Sequence, residues 1–466
     1  MPPRTFDAVV VGSGPAGYVC AIRLAQLGKK VAVVERDGLG GTCLNVGCIP
    51  SKALITAGAF VERAKRAGEM GVEIEGVRVN LAKMVAWKEG IVRKLTGGIA
   101  GLFRNHKIEH VQGSARIAGR SEIVVAGADG SETLRAPAIV LATGSEPIAL
   151  PSFPWSEEVW SSTEALAPKE IPKDLLVIGG GYIGLELGTF YAKVGSRVTV
   201  VEMTEGLLPG TDPDLSAVVS KRLKALGVAV HLRARAVGFE RTKGRLRAGI
   251  ETEREKLEVE CDRILSTVGR RPCSAGLGLE GAGVRVEKGF VPVNPRRESS
   301  VAGIYAIGDL AGQPMLAHKG SKEGIVAAEA IAGRPAAFDV RAIPSVIFTD
   351  PEIASVGLTE GEARAAGHDP VVGRFPFAAS GRAMTLGETE GFVKIVADRG
   401  TDLLLGVHMV GPEVTELIAE AALAIEMGAT VEDLAATIHA HPTLPETLME
   451  AAESVHGAAI HIFRRS

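Results

Sequence analysis

Cysteine is scarce in this chain, with 5 residues in 466. An odd number spread over such a length is not the framework of a disulfide-stapled secreted fold. A cytoplasmic setting with reduced thiols is expected. Charge of one sign is lacking too: 52 Lys and Arg against 55 Asp and Glu leave a net -3. Neither nucleic acid nor an anionic membrane surface is expected as a partner on that balance. Apolar runs stay short of the roughly 20 residues that cross a bilayer, so no span is expected. The start, "MPPRTFDAVVVGSG", enters a strand almost at once and leaves no room for a signal or transit peptide.

What is present is an ordinary globular composition, 46% hydrophobic and 23% charged. The length is too great for one core and implies two to four domains. The 57 glycines are clustered, as in tight turns around ligands. One cluster belongs to "FDAVVVGSGPAGYVCAIRLAQLGKKVAVVER". The apolar run Ala8 to Val11 reads as a buried strand. Gly12, Gly14 and Gly17 follow as G-x-G-x-x-G, then a helix to Leu27 stopped by Gly28, then a strand from Val31 to Glu35. Such glycines permit a sharp turn and let backbone amides approach a pyrophosphate at the helix N-terminus. Glu35 is placed to accept from a ribose hydroxyl.

The same unit recurs as "LLVIGGGYIGLELGTFYAKVGSRVTVVEM": a shift of 167 carries Gly12, Gly14, Gly17, Gly28 and Glu35 onto Gly179, Gly181, Gly184, Gly195 and Glu202. A lone G-x-G-x-x-G is weak, but each copy has its strand, its helix and its terminal acid, so two dinucleotides per chain are expected. Glu202 suits a free 2′-hydroxyl, and "EMTEGLLPG" brings no arginine cluster for a 2′-phosphate. NAD is therefore expected at the second site. The segments "ATGS" (142–145) and "IYAIGDL" (304–310) are strand-then-turn pieces returning to the first site, with Asp309 able to accept from a polyol chain.

Two of the five cysteines stand in "GGTCLNVGCIPSK", residues 40–52. On a regular helix Cα atoms five residues apart lie about 8–9 Å from one another. A disulfide wants less than about 7 Å. If Cys43 and Cys48 join, the segment must leave regular helix, which Gly47 and Pro50 make feasible. Zinc would need a second ligand pair, and Cys20, Cys261 and Cys273 are scattered. A structural staple over so short a loop has little rationale in a cytosolic protein. A catalytic dithiol does, if a flavin beside it exchanges electron pairs with it.

At this stretch the chain resembles the active site of the pyridine nucleotide–disulfide oxidoreductases. The resemblance extends through "SVIFTDPEIASVGLTE" and "IHAHPTLPETLMEA" near the end. Those two segments are most similar to the members that oxidise protein-bound dihydrolipoyl groups. The resemblance implies an α/β protein with two Rossmann-like dinucleotide-binding domains, a central domain and a C-terminal α+β dimerisation domain. The parts would be 1–148, a first FAD-binding part; 149–272, NAD-binding; 273–342, central and completing the FAD site; and 343–466, the interface. It implies FAD at the first site, NAD at the second, and a homodimer that works on a lipoylated carrier domain.

By the same resemblance Cys48 is the thiol next to the flavin and Cys43 the one that meets substrate. Lys52 lies beside the isoalloxazine, paired with Glu186, and Tyr182 covers the nicotinamide face. Further FAD contacts are implied at Gly113, Thr143, Gly144, Ser145, Asp309, Met315, Leu316, Ala317 and His318. Further NAD contacts are implied at Val237 and Gly269. His441 and Glu446 match the family's base pair, which chemistry requires because a dithiol must lose a proton before attacking a disulfide. Thr443 to Glu446 also fits a capping box. His439 and His441 could suggest a metal, but no further ligands cluster nearby and none is expected. Pro445 before the glutamate and Cys273 after "GRRP" depart from the family's usual pattern. A mercuric reductase is disfavoured because no vicinal cysteines end the chain. A glutathione reductase is disfavoured by the absent arginines, and a pure docking subunit would not need Cys43, Cys48 and His441 together.

Overall fold

Strand Ala8–Val11 is buried at every position, as is Val31–Glu35, the pattern of strands covered on both faces. In the computed structural model, which describes residues 3–242 and 244–463, they sit at the middle of a five-stranded parallel sheet. Its order is Ile304–Ala306, Ala138–Leu141, Ala8–Val11, Val31–Glu35, Glu109–Gln112. A second parallel sheet repeats that arrangement as Val159–Trp160, Arg263–Ser266, Asp174–Ile178, Arg197–Val201, Ala229–His231. Each unit also carries an antiparallel sheet: Ser114–Gly119, Glu122–Gly127 and Gly130–Arg135 in the first, Ala234–Thr242, Arg245–Thr252 and Lys256–Cys261 in the second. Where the chain crosses to the second unit and returns, Ser145–Pro147 pairs with Arg270–Pro272. The repeat seen in the glycines is thus a repeat of whole α/β units.

The stretch 273–342, expected as a central domain that completes the FAD site, has no sheet of its own. Its strand Ile304–Ala306 edges the first sheet. Its helix Ala317–Ile331 lies so close to helix Pro15–Gln26 that a Cβ at Gly324 would be 2.5 Å from the Ala16 carbonyl oxygen. Leu279, Val291 and Val301 share one core with Val9 and Val11. The stretch therefore completes the first unit.

The C-terminal part is α+β. An antiparallel sheet runs Ser345–Ile347, Glu352–Gly357, Leu404–Gly411, Phe392–Asp398, Pro370–Pro376. Helices Val414–Met427 and Glu446–Val455 cover it, with Val356, Val407, Ile418 and Leu448 in one core. Charge ties this part to the second unit. The buried Lys394 ammonium pairs with Asp212 and, at 3.2 Å, with Asp214, while Lys193 and Arg222 reach Asp350 at 2.8 and 2.9 Å.

One helical stretch, Gly41–Lys65, has the length and apolarity of a membrane span, which the expectation from apolar runs did not include. It is two helices, Gly41–Val46 and Cys48–Lys65, parted at Gly47. Leu54 joins the second unit's core, and a Cβ at Gly58 would lie 3.1 Å from the Phe190 ring. The apolar face of this stretch is used in packing the two units together.

Candidate active site

The first glycine turn is a place where side chains do not fit. Gly12 has φ +101°, and a Cβ there would sit 2.3 Å from the Ala142 carbonyl oxygen. A Cβ at Gly17 would sit 2.0 Å from the Gly12 carbonyl oxygen, so Gly17 serves the close packing of helix on turn. Gly14 starts helix Pro15–Gln26 without any side-chain cap. The helix's first amides are left for an anionic ligand. Glu35, buried, accepts from the Ser13 amide at 2.8 Å, the Ser13 hydroxyl at 2.7 Å and the Asp37 amide at 2.9 Å. A carboxylate so held still has an acceptor site for a hydroxyl.

A cavity of about 670 Å³ opens beside this turn, within the roughly 300–1,000 Å³ of ligand sites. It is lined by Gly12, Gly14, Glu35, Cys43, Cys48, Lys52, Gly113, Thr143, Gly144, Ser145, Tyr182, Glu186, Asp309, Met315, Leu316 and Ala317. His318, expected with them, does not line it, and its Nε2 lies 2.7 Å from the Pro344 carbonyl oxygen. Gly17 stands behind the turn. Asp309 accepts from the Ser145 hydroxyl at 2.5 Å, and the Ser145 hydroxyl in turn accepts from Arg270 at 2.8 Å. The Thr143 hydroxyl donates to the Cys273 carbonyl at 2.8 Å. An uncapped helix start, a ribose-type acid and two thiols around one cavity fit a flavin dinucleotide.

The thiol segment departs from regular helix at Gly47, where a Cβ would come within 2.8 Å of the Thr42 carbonyl oxygen. Pro50 follows in the first turn of the next helix. Upstream, Gly41 has φ +57°, and a Cβ there would lie 2.6 Å from Gly14 Cα, so the thiol helix rests directly on the glycine turn. Both thiols are free, and each bears on the other's titration. The neighbouring Cys43 thiol lowers the Cys48 thiol to about 7; partial burial opposes this and the Lys52 ammonium reinforces it. Interaction with Cys48, with burial, pushes Cys43 up. Of the two, Cys48 is the thiol that ionises first.

Lys52 Nζ donates to Glu186 at 2.8 Å and sits 4.5 Å from the centre of the Phe348 ring. The other oxygen of Glu186 accepts the Phe348 amide at 2.9 Å. One buried carboxylate from the second unit thus joins the thiol helix to the C-terminal part. Tyr182, first residue of helix Tyr182–Val194 and 43% exposed, faces the first cavity from the second unit.

The second turn repeats the first. Gly179 has φ +104°, and a Cβ would lie 2.7 Å from the Thr267 carbonyl oxygen; one at Gly184 would lie 2.3 Å from that of Gly179. Gly181 has open space where a Cβ would stand, and its helix too lacks a side-chain cap. Glu202, buried, accepts from the Gly180 amide at 2.6 Å and from the amide and hydroxyl of Thr204 at 2.8 and 2.9 Å. Arg233 is paired with Glu205 at 3.2 Å. Val237 is exposed on strand Ala234–Thr242, and Gly269 takes φ +126° just before Arg270.

His441 is 81% exposed, with Nδ1 2.8 Å from Glu446 Oε1. The second Glu446 oxygen accepts the Thr443 amide at 2.7 Å. Burial opposes it, but that amide and His441 hold the Glu446 carboxyl below the usual range. The capping box forms by half: Glu446 accepts the Thr443 amide, but helix Glu446–Val455 begins after Pro445 and the Thr443 hydroxyl donates to the Ala440 carbonyl instead. Neither His441 nor Glu446 lines the cavity of its own chain. His439 is engaged by Glu420 at 2.7 Å and the Thr437 carbonyl at 2.8 Å. Among the described residues no group of three or more His, Cys, Asp and Glu could hold a metal.

Ser13, Arg270 and Phe348 were not read from the sequence as part of the site. Ser13 stands inside the glycine motif, which is a usable signal. The amide of Phe348 comes from more than 160 residues beyond Glu186 in the chain, and no local pattern announces it.

The profile of the pyridine nucleotide-disulphide oxidoreductases matches residues 6–324, and that of their dimerisation domain matches residues 343–452. The chain is 53% identical to a dihydrolipoyl dehydrogenase of Thermus scotoductus, over 99% of this chain and 100% of that one. It is 48% identical to one of Bacillus subtilis, over 99% of both. Among solved structures it is similar to LpdA from Mycobacterium tuberculosis, at TM-score 0.90 and 28% identity over 96% of this chain and 99% of that one. It is likewise similar to the HOCl-induced flavoprotein disulfide reductase RclA from Escherichia coli, at TM-score 0.86 and 27% identity over 96% and 99%. With a dithiol set against a duplicated dinucleotide turn, the chain belongs to the pyridine nucleotide-disulphide oxidoreductase family.

Proposed function

We propose that this protein oxidises protein-bound dihydrolipoyl groups to lipoyl through the Cys43–Cys48 couple and FAD, with NAD⁺ as final acceptor, the activity of a dihydrolipoyl dehydrogenase. The observation that carries the reading is the shared cavity: both thiols open into the space bounded by Glu35, Asp309 and the first glycine turn. Full-length similarity to dihydrolipoyl dehydrogenases supports it.

In the oxidised form the two sulfurs are joined. A substrate thiolate attacks one of them, its second thiol completes the exchange, and the enzyme is left with the dithiol and the product with the lipoyl ring. Cys43 is the sulfur offered to substrate, and Cys48 keeps the negative charge that the neighbouring Cys43 thiol and Lys52 favour. FAD, when bound in this cavity, would supply the two-electron acceptor, and NAD⁺ is the final oxidant. Glu35 and Asp309 would hold the flavin dinucleotide, Glu202 the NAD ribose, and Tyr182 would close the passage between them. His441, oriented through Nδ1 by Glu446, has Nε2 left to take the substrate thiol's proton.

The same proposal includes a homodimer in a cytoplasmic setting. His441 is exposed and stands apart from the thiol cavity of its own chain, which supports its serving the partner's dithiol. Leu423, Met427 and Ile438 leave apolar surface open on the C-terminal part, as an unpaired dimerisation face would. The carrier is a lipoylated domain of a 2-oxoacid dehydrogenase or glycine cleavage complex. NADH production measured with several lipoylated domains tests the reading, and failure with every one would defeat it. Mixing His441→Gln with Cys43→Ser chains tests the trans geometry. Heterodimers, confirmed by tagged co-purification, should regain activity; heterodimers without it would return His441 to its own chain's site.

A further inference from the structure

Behind the first cavity lies a charged cluster that touches neither thiol. Glu323, in helix Ala317–Ile331, has no exposed surface. One of its oxygens accepts the Gly308 amide at 2.7 Å. The other accepts from Arg297 at 2.8 Å and stands 3.3 Å from Lys319 Nζ. Lys319 in turn donates to the Gly312 carbonyl at 2.8 Å and, at 3.4 Å, to that of Gly308. The short 3₁₀ turn Gly308–Ala311 is therefore gripped at both ends by one buried ion cluster. Between the grips is Asp309, whose carboxylate lines the cavity and accepts from Ser145.

Burying a carboxylate this completely is costly, and apolar side chains would pack a helix on a sheet at less cost. The arrangement makes sense if the turn itself must be held. Gly308 has φ +71°, and a Cβ there would lie 3.1 Å from the Ala16 side chain, so this turn is set tightly against the start of the first helix. A small rotation of the Gly308 peptide would swing Asp309 away from the cavity.

We infer that Glu323, with Lys319 and Arg297, is a positioning set that locks the Gly308–Gly312 turn and so aims Asp309 at the flavin dinucleotide. None of the three lines the cavity, so they act through the turn. The inference rests on the reading of the first cavity as the FAD site.

Flavin removal and re-titration tests it, following quenching of FAD fluorescence on binding to the apoprotein. Glu323→Gln keeps shape and an acceptor for Gly308 but leaves two cations without their anion. FAD should bind about ten-fold or more weakly, the scale of one charge-assisted hydrogen bond. NADH binding at the second unit should not move. In an Asp309→Asn background the same change should add little, because both act through one carboxylate. Glu329→Gln, on the same helix but paired with Arg23 at its outer side, should leave FAD affinity unchanged. Unaltered affinity in Glu323→Gln, an equal loss in Glu329→Gln, or full additivity with Asp309→Asn would each overturn the inference. Should Glu323→Gln not fold, Lys319→Met decides by the same titration: weaker FAD binding upholds the inference and parental affinity overturns it. A parent chain that binds no FAD would defeat the reading of the cavity itself, and this inference with it.

Discussion

The two dinucleotide units share strand order, glycine turn and terminal acid, yet only one carries the chemistry. The divergence begins at the residue between the first two glycines, Ser13 in one unit and Gly180 in the other. In both, a downstream segment caps this residue's carbonyl: the Gly40 amide donates to Ser13 at 3.1 Å, and the Leu208 amide to Gly180 at 2.9 Å. In the second unit Leu207 comes so near that a Cβ at Gly180 would meet its side chain at 2.7 Å. In the first unit the capping segment is the Gly40–Gly41 pair, which leaves room for a serine side chain and leads into the thiol helix. A duplicated fold has thus been differentiated by the segment C-terminal to its acid. One copy lays a redox couple on its turn; the other runs through a loop into helix Pro213–Ala225.

The largest effect expected from that asymmetry is at the thiols. Cys48→Ser should abolish dihydrolipoamide turnover and the long-wavelength absorption of the two-electron-reduced protein while FAD stays bound. Loss of the flavin with the fold intact would make the pair structural and erase the contrast between the units. His441→Gln should slow dihydrolipoamide turnover by about 10²–10⁴-fold, the usual scale of general-base assistance. NADH oxidation by an artificial flavin oxidant should survive, since it needs no substrate thiol deprotonated.

Matched glycine changes come next. Gly17→Ala and Gly184→Ala each press a methyl on a carbonyl 2.0 or 2.3 Å away, an overpacking cost on the order of 1–3 kcal/mol. The first should release flavin and leave NAD⁺ affinity; the second should do the reverse. Equal loss of flavin in both would show that the units do not bind separately. Glu202→Ala should narrow the preference for NAD⁺ over NADP⁺ by weakening NAD⁺, whereas Glu35→Ala should leave that preference alone. Equal specificity constants for the two cofactors in the parent chain would defeat the assignment of Glu202.

The pH dependence should also belong to one unit only. With Cys48 lowered to about 7, the thiolate predominates above that pH and is lost as pH falls through it. The long-wavelength band of the reduced protein should fade with that midpoint, while NADH binding stays level. A midpoint near 9, the ordinary thiol value, would mean that Cys43 and Lys52 do not act on Cys48. Smallest of all is Ser13→Gly, which makes the first turn resemble the second. Loss of one hydroxyl bond to Glu35 should weaken FAD by only about ten-fold or less.

Much of this was legible because the duplicated unit is local: strand, glycines, helix and acid lie within about thirty residues. The break at Gly47 was readable on the condition that Cys43 and Cys48 meet, since a regular helix cannot bring residues five apart together. What was not legible depends on contacts distant in sequence. The apolar composition of Gly41–Lys65 says nothing of Phe190, which covers Gly58. The division at 273 came from the resemblance, whereas Leu279, Val291 and Val301 join a core made some 270 residues earlier. The capping box was a local pattern half realised: Glu446 accepts the Thr443 amide, but Pro445 takes the N-cap position and the Thr443 hydroxyl turns away.

Gly47 has a consequence for anyone wishing to move this redox couple into another scaffold. Grafting two cysteines at the same spacing onto an uninterrupted helix would carry the sulfur atoms but not their meeting. What is portable is the thirteen-residue passage from Gly40 to Lys52, and only onto a host whose own turn presents a bare Cα where Gly14 does. The motif is best regarded as a plug with a defined socket.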